Sequence, residues 1–311
     1  MVDAPHAQER HMQQDVPSNR KDLYQSITDK IVAAVEAGAI EARRPWHAPG
    51  LLPPRNANTD ALYRGVNVLA LWIEAMDRSY PTSEWASYKQ WQDLGAQVRK
   101  GERGTLIVFY KRIEEETTEP EDHTENRLRH VARASHVFNA AQVDGFAAAP
   151  PERPNAFHAH QEAEAFIGAI GARIEHGFQE ARYRRDLDNI EMPLRSWFVG
   201  TDTRSPLESY YGVLLHELTH WTGAQHRLAR TMGKRFGDDG YAIEELVAEI
   251  GAAFACSALG IESEPRPDHA AYVSSWLTVL KRDPKAIFTA ASKAQDAFEH
   301  LAYLAMRTDQ S

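Results

Sequence analysis

The sequence predicts an α+β protein of two domains, on three observations. Its 311 residues exceed what one compact core ordinarily organises. Strand-like runs follow the helices of the first half, whereas the second half is mostly helical in its periodicity, with one extended segment. Between them, Ala147–Ala156 (AAAPPERPNA) mixes prolines with small and polar residues and so marks a boundary. The expected organisation is a disordered leader over residues 1–20, a first domain over 21–147, a linker over 148–156 and a second domain over 157–311.

Taken in order, Lys21–Ala37 sets Leu23, Ile27, Ile31, Ala34 and Val35 at helical spacing, with Gly38 as a stop. The block RRPWHAPGLLPPRNANTDALYRGVN is dense in Pro, Asn and Gly, which makes it loop. A second helix is expected from Asn67 to Met76, and a third in SEWASYKQWQDLGAQV, from a serine cap to near Gly95. TLIVFYKR reads as a strand and RHVARASHVFNAAQVDG as one or two more, joined across the acidic IEEETTEPEDHTEN. Beyond the boundary, AFHAHQEAEAFIGAIGARIEHG reads as a helix and ARYRRDLDNIEMP as an extended segment ended by Pro193. SPLESYYGVLLHELTHWTG is a long helix that opens on Ser205, Pro206 and Glu208, the capping-box arrangement. GYAIEELVAEIGAAFACSALGI is another, and two shorter helices finish the chain.

With 43% hydrophobic and 25% charged residues, the composition is that of a soluble globular protein. No apolar run approaches the roughly 20 residues of a membrane helix, and the N-terminus lacks the apolar core of a signal peptide, so a cytoplasmic location away from membranes is expected. The single cysteine, Cys256, excludes a disulfide framework and Cys-rich zinc ligation; it sits among small and apolar residues as core filler. Any metal must therefore use His and carboxylates. A net charge of -9 argues against a protein that coats nucleic acid over its whole surface, but the charge is uneven. Ala96–Arg112 holds Arg99, Lys100, Arg103, Lys111 and Arg112 against one Glu.

HELTHWTGAQH, His216–His226, carries the clearest chemistry. Residues four apart share a helix face, so His216 and His220 can present two imidazoles to one ion while Glu217 faces the open coordination position. Zinc lowers the pKa of bound water, and Glu217 as general base would take its proton as the water attacks a polarised carbonyl; hydrolysis is the expected reaction class. Two residues compete as third ligand. His226 completes H-E-x-x-H-x-x-G-x-x-H, with Gly223 supplying a left-handed turn. Alternatively Glu245 and Glu249, four apart on the next helix, supply one ligand and one hydrogen-bond partner behind an imidazole, while Glu244 points elsewhere as a solvated charge. Glu245 is favoured, because a carboxylate on an otherwise apolar helix face needs a partner, whereas His226 precedes the polar turn RLAR. Two imidazoles and a carboxylate suit Zn2+ but accept other divalent ions.

Several stretches in succession, DLYQSITDKIVAAVEAGA, PRNANTDALYRGVNVLAL, WASYKQWQDLGAQVRKGERGTLIVFYK, LLHELTHWTGAQHRL and YAIEELVAEIGAAF, resemble the ArdC antirestriction proteins of conjugative plasmids. The likeness runs from about Asp22 to the last helices. It implies an N-terminal single-stranded-DNA-binding domain related to that of plasmid TraC primases, then a zincin-like metallopeptidase domain of the kind found in polyvalent proteins. It also implies a Glu as third ligand, matching Glu245, and no fixed role for His226. The implied role is protection of incoming single-stranded DNA from host restriction; a DNA-recruited metalloprotease of SprT type, acting on an unidentified protein, is the alternative, and a primase accessory or coating protein a third. One departure is local: the family often has two Pro-Trp pairs where this chain has only Pro45-Trp46.

Single-stranded DNA is held by cations along its phosphates and by rings on which bases stack. The first half offers Arg55, Tyr63, Arg64, Asn67, Trp85, Lys89, Gln90, Arg99, Lys100 and Arg103. NANTDALYRGVN is a loop carrying Tyr63 and Arg64, and VRKGERGT is a basic turn whose glycines let the backbone approach a phosphate. Trp72 and Trp91, at helical spacing, are expected to be core.

Overall fold

The computed structural model describes residues 20–40, 51–114, 128–148, 156–201, 204–231, 239–262 and 270–308. The leader, the Pro45-Trp46 pair, most of the acidic stretch and most of the 148–156 linker lie outside the described residues. The first half contains α1 (Arg20–Ile40), β1 (Arg55–Asn56), α2 (Val66–Asp77), β2 (Glu84–Ala86), α3 (Tyr88–Asp93), β3 (Gln97–Val98), β4 (Thr105–Glu114), β5 (Leu128–Asn139) and β6 (Val143–Asp144). The second contains α4 (Ala156–Ile170), β7 (Arg173–His176), β8 (Arg182–Arg184), β9 (Asn189–Met192), α5 (Pro206–Thr222), α6 (Asp239–Leu259), α7 (Ala270–Arg282) and α8 (Ala286–Thr308). The fold is α+β, as the sequence predicts. No helix among the described residues is long and apolar enough to cross a membrane.

In the first half, a four-stranded sheet runs in the order β1-β2-β5-β4. Its backbone is the antiparallel β4–β5 pair, from Thr105↔Val137 to Glu114↔Leu128. The third helix starts later than its sequence suggests. Glu84–Ala86 joins the sheet as β2, pairing Trp85 with Asn139, and the helix begins after Ser87, whose hydroxyl caps Gln90 N–H while Gln90 Oε1 accepts from Ser87 N–H. Two serines stand in that stretch, and strand pairing decides between them.

In the second half, a three-stranded sheet runs β7-β9-β8, with β7 parallel and β8 antiparallel to β9. The helix read through Gly177 stops at Gly171, which takes a φ of 75° open to glycine, and the residues beyond it become β7. ARYRRDLDNIEMP is a hairpin, β8–β9, rather than one extended run. The last helix, α8, has 23 residues and is not a short one.

The halves share a core. Leu23, Ile27 and Ile31 of α1 and Leu69 and Trp72 of α2 pack with Leu246, Ile250 and Phe254 of α6, Trp276 and Leu280 of α7, and Ile287 of α8. Trp72 meets Phe254 edge-on at 5.7 Å. The other side of α6 enters a second core, where Ala252, Cys256 and Leu259 pack with Leu214 and Leu218 of α5 and Ile190 and Met192 of β9. A helix covered on both sides is apolar nearly all round, so its three buried glutamates, Glu244, Glu245 and Glu249, each require a polar partner.

Candidate metal centre

Helix α5 is fixed at its start by the capping box of Ser205 and Glu208, with Pro206 in the first turn. Three turns on, it buries His216 and Glu217 and half-buries His220. Gly251 lets α6 cross close by: a Cβ there would stand 2.6 Å from Thr219 Cγ2. This approach sets the glutamates of α6 against the histidines of α5.

His216 Nε2 and His220 Nε2 face each other at 3.2 Å. Glu245 reaches both, with Oε2 3.6 Å from His216 Nε2 and Oε1 3.5 Å from His220 Nε2. One ligand atom from each of the three residues lies within 4.8 Å of the others. Two nitrogens on one tetrahedral zinc stand about 3.3 Å apart, so the donor spacing fits an ion of that size.

Both imidazoles are backed by carboxylates at Nδ1. Glu249 Oε2 lies 3.5 Å from His216 Nδ1. Glu244 Oε1 lies 3.3 Å from His220 Nδ1, which corrects the reading of Glu244 as a solvated charge: it is 3% exposed. Arg230 explains how that charge tolerates burial. Its guanidinium donates to both Glu244 oxygens (2.8 and 3.1 Å), to Thr219 O (2.6 Å) and to Thr222 Oγ1 (2.7 Å). The Nε2 atoms are thereby aimed into the cluster.

Protonation follows the same geometry. Burial works against a charge on His220, but Glu245 and Glu244 outweigh it and push its pKa up to about 10. His216 is also raised, against burial, by Glu245 and Glu249. Burial opposes ionisation of Glu245, yet the two histidines hold it well below the usual carboxylate range.

Glu217 is 4% exposed and its Oε2 accepts the Tyr183 backbone N–H at 2.9 Å. It shares a cleft of about 640 Å³ with His216, His220, Glu245, Tyr241 and Tyr272. The two tyrosines, which no sequence motif marks, join hydroxyls at 3.2 Å. No sequence motif marks Arg227 either. It stacks 3.7 Å over Trp221, donates to Trp221 O at 2.6 Å and to Asp188 Oδ2 at 3.0 Å, and so ties the end of α5 to the β8–β9 hairpin. The alternative ligand His226 lies outside the cluster: its side chain is 63% exposed and faces Asp188 at 3.3 Å. Gly223 has a φ of -77°, so the left-handed turn that would bring His226 back does not form.

The first-half candidates separate into two groups. Lys89, Lys100 and Arg103 are exposed. So are Arg55, paired with Asp60 at 2.7 Å, Arg64, paired with Glu299 of α8, and Arg99, paired with Glu102 at 2.9 Å. Tyr63 is half-buried, and burial pushes its phenol up. Trp85 is corrected: at 1% exposure it fills a core with Leu71, Ile107 and Val137 and presents no face to a base. Asn67 and Gln90 are engaged in the fold. Asn67 donates to Val108 O at 2.7 Å and accepts from Val108 N–H at 2.8 Å, closing the β4 edge like a strand partner. Gln90 closes the α3 cap. Trp72 and Trp91 are core, as expected. Exposed Phe109 and Arg133, cross-strand partners on β4 and β5, were not anticipated, because strand alternation alone does not say which face is covered.

A helix-borne H-E-x-x-H with a glutamate from the next helix, flanked by a small sheet, defines a zincin-like metallopeptidase fold, and residues 161–293 match that family. Residues 21–138 match the N-terminal domain of the anti-restriction factor ArdC. The chain is 38% identical to the antirestriction ArdC protein of plasmid R388 in a metal-free crystal structure, at a TM-score of 0.74, covering 92% of this chain and 98% of that one. A second crystal structure of that protein, with Mn(II) bound, matches at 36% identity, a TM-score of 0.73 and coverage of 91% and 98%. An uncharacterized protein, y4eC of Sinorhizobium fredii, is 44% identical over 90% of this chain and 91% of its own length. The chain belongs to the ArdC antirestriction family. It is also 36% identical, over 89% of its length, to a DNA primase TraC of Escherichia coli, of which it spans 26%.

Proposed function

We propose that the protein binds single-stranded DNA through residues 21–147 and shields DNA entering the cytoplasm from host restriction, while residues 157–311 carry a zinc-dependent, peptidase-type hydrolytic site. The observation that carries this reading is the near full-length likeness to the R388 antirestriction protein. Exposed Lys89, Lys100 and Arg103 supply the phosphate-binding charge despite the overall acidity, with Arg55, Arg64 and Arg99 exchanging carboxylate partners for phosphates.

In the hydrolytic site, His216, His220 and Glu245 hold the ion, which when bound supplies Lewis acidity and a water of lowered pKa. Zinc is proposed because two imidazoles and one carboxylate are a donor set that suits it. Glu249 and Glu244 hold the imidazole rings in orientation through Nδ1. Glu217 takes the proton of the attacking water, after giving up Tyr183 N–H, and returns it to the leaving group.

The test is fluorescence anisotropy of the full-length protein with a labelled single-stranded oligonucleotide and its duplex over a range of salt. Tighter single-strand binding that weakens with salt is expected, and joint replacement of Lys89, Lys100 and Arg103 by alanine should weaken it further. Absence of binding at low salt refutes the DNA half of the proposal.

The buried Glu217 beside the cluster favours a second reading, in which proteolysis of a DNA-associated protein is the main activity. A transfer assay with Glu217→Gln separates the two. Protection survives if DNA binding carries the role and is lost if hydrolysis does.

A further inference from the structure

A second cavity, of about 600 Å³, lies between the turn that follows α5 and one face of α8, and none of the metal ligands lines it. Residues 228–231 form one wall; Lys293, His300 and Tyr303 stand on the other. Backbone bonds pin the first wall. Leu228 N–H donates to Thr222 O, Ala229 N–H to Ala224 O and Arg230 N–H to Gly223 O, each at 3.0 Å. They hold Ala229 at a φ of 48°, a left-handed conformation that a side chain disfavours, so the cavity is shaped in advance of any ligand.

The second wall is a stripe. Lys293, Asp296, His300, Tyr303 and Arg307 follow at steps of three and four, which puts them on one face of α8 over roughly 21 Å. Lys293 is half-buried and has no ion-pair partner among the described residues, and His300 Nε2 is buried without a hydrogen bond. Tyr303 is 53% exposed, with the Arg307 guanidinium 5.6 Å from its ring. Of the two carboxylates on this wall, Glu299 already binds Arg64 and accepts from Gln295 Nε2 at 2.8 Å. Burial, and then Glu299, push the Asp296 carboxyl up against the pull of Arg64 and Arg230, so N–H donors would stabilise it. An unpaired ammonium, an exposed ring beside a cation and a carboxylate short of donors match the phosphate, the face and the N–H edge of a nucleotide. The adjoining contacts say where such a nucleotide comes from. Arg64 lies in the NANTDALYRGVN loop, which sits on α8 through the Arg64–Glu299 pair and a bond from Gly65 N–H to Gln295 Oε1 at 3.2 Å. A strand whose phosphate displaces Glu299 from Arg64 stands at the edge of the cavity, which Glu299 lines.

We infer that bound single-stranded DNA crosses from the first half onto the metal half, where this cavity and the α8 stripe take a short stretch of it, with a phosphate at Lys293 and a base stacked on Tyr303. The inference rests on the single-strand binding proposed above and extends it beyond residues 21–147. Full-length protein is titrated by anisotropy into a labelled thymidine oligonucleotide of about 20 nucleotides over a range of salt. Tyr303→Ser should weaken binding at least about fivefold, the loss of one stacked base, and leave the salt slope as it was, while Tyr303→Phe should bind like the unsubstituted protein. Lys293→Ala should lower the slope of log affinity against log salt by about 0.7, the share of one phosphate contact. Irradiating the unsubstituted protein with the same strand carrying iodouracil in place of thymine needs no variant and should mark Tyr303. Unchanged affinity in Tyr303→Ser, a loss shared by Tyr303→Phe, an unchanged salt slope in Lys293→Ala, or crosslinks confined to the first half overturns the inference. Where the unsubstituted protein still binds the strand, such a result leaves the DNA-binding reading standing and removes only the crossing; no binding at low salt removes both.

Discussion

Replacing Arg230 with methionine removes the cation that makes a buried glutamate tolerable. The Arg230 and Glu244 side chains are each 4% exposed, and the guanidinium makes two bonds to the carboxylate and two more to Thr219 O and Thr222 Oγ1. Removing one member of a buried pair costs about 3–5 kcal/mol, and the low end applies here because His220, 3.3 Å from Glu244, still compensates part of the charge left behind. At roughly 2 °C of melting temperature per kcal/mol for a chain of this size, Arg230→Met should melt at least about 6 °C lower. Glu244 also holds His220 through Nδ1, so metal affinity should fall about 10- to 100-fold. The double variant Arg230→Met, Glu244→Gln has no buried charge left over and should regain most of the stability but not the metal affinity. Calorimetric melts and a competitive zinc titration read both quantities. A melting temperature within about 2 °C of the unsubstituted protein for Arg230→Met, with metal affinity unchanged, would refute the assignment of Arg230 and Glu244 as the support of His220.

Gly251→Ala places a methyl 2.6 Å from Thr219 Cγ2, so α6 should move off α5 at a cost of about 1–3 kcal/mol, and Thr219→Ser in the same chain should recover part of it; melts of the two variants check this. Arg227, against the cost of burial, holds the Asp188 carboxyl down at about 2. A depressed carboxylate stabilises the fold above its unfolded value of 3.8 and loses that contribution as pH falls toward 2. The Asp188 side chain is 40% exposed, so the contribution is about 1 kcal/mol after screening, and Asp188→Asn should flatten the acid limb of a urea-melt series between pH 4 and 2 by that amount. Metal binding must displace protons from His220, whose pKa stands at about 10 without the ion, so zinc affinity should rise with pH across the neutral range with proton release, measurable by calorimetry in buffers of different ionisation enthalpy.

What the sequence disclosed was local chemistry. The Ser205–Glu208 capping box, the spacing of His216 and His220 and the face shared by Glu245 and Glu249 all lie within a few helical turns; the capping box forms, and His216, His220 and Glu245 come together with Glu249 behind His216. What it hid depends on partners distant in the chain. Trp85 looked like a stacking ring because nothing near it in sequence reveals that β2 pairs with β5 and buries it. Asn67 looked available for DNA because its partner, Val108, lies 41 residues on. Helical phase alone turns Glu244 away from the ion, although Arg230, fourteen residues before it in the turn RLAR, returns to hold it. No local pattern encodes such a return.

The boundary at 147–156 is visible in composition, but the packing does not respect it. Leu23, Ile27, Ile31, Leu69 and Trp72 of the first half are each 3% exposed or less, and they pack in one core with residues of α6, α7 and α8 from the second. Burying a large apolar side chain contributes about 1.5–3 kcal/mol, so five that lose most of their cover forfeit roughly 7–15 kcal/mol at most, as much as the whole stability of an ordinary domain. A fragment ending at residue 147 should therefore lack a cooperative melt, bind hydrophobic dye and be cut rapidly by trypsin, while the full chain resists. A fragment that melts cooperatively within about 5 °C of the full chain would show that the N-terminal sheet and α1–α2 suffice alone, and that the shared core adds little. If the fragment fails as expected, the DNA-binding half and the metal half are coupled through α6, which carries Leu246 and Ile250 into the shared core from the same helix that holds Glu245 and Glu249 in the cluster.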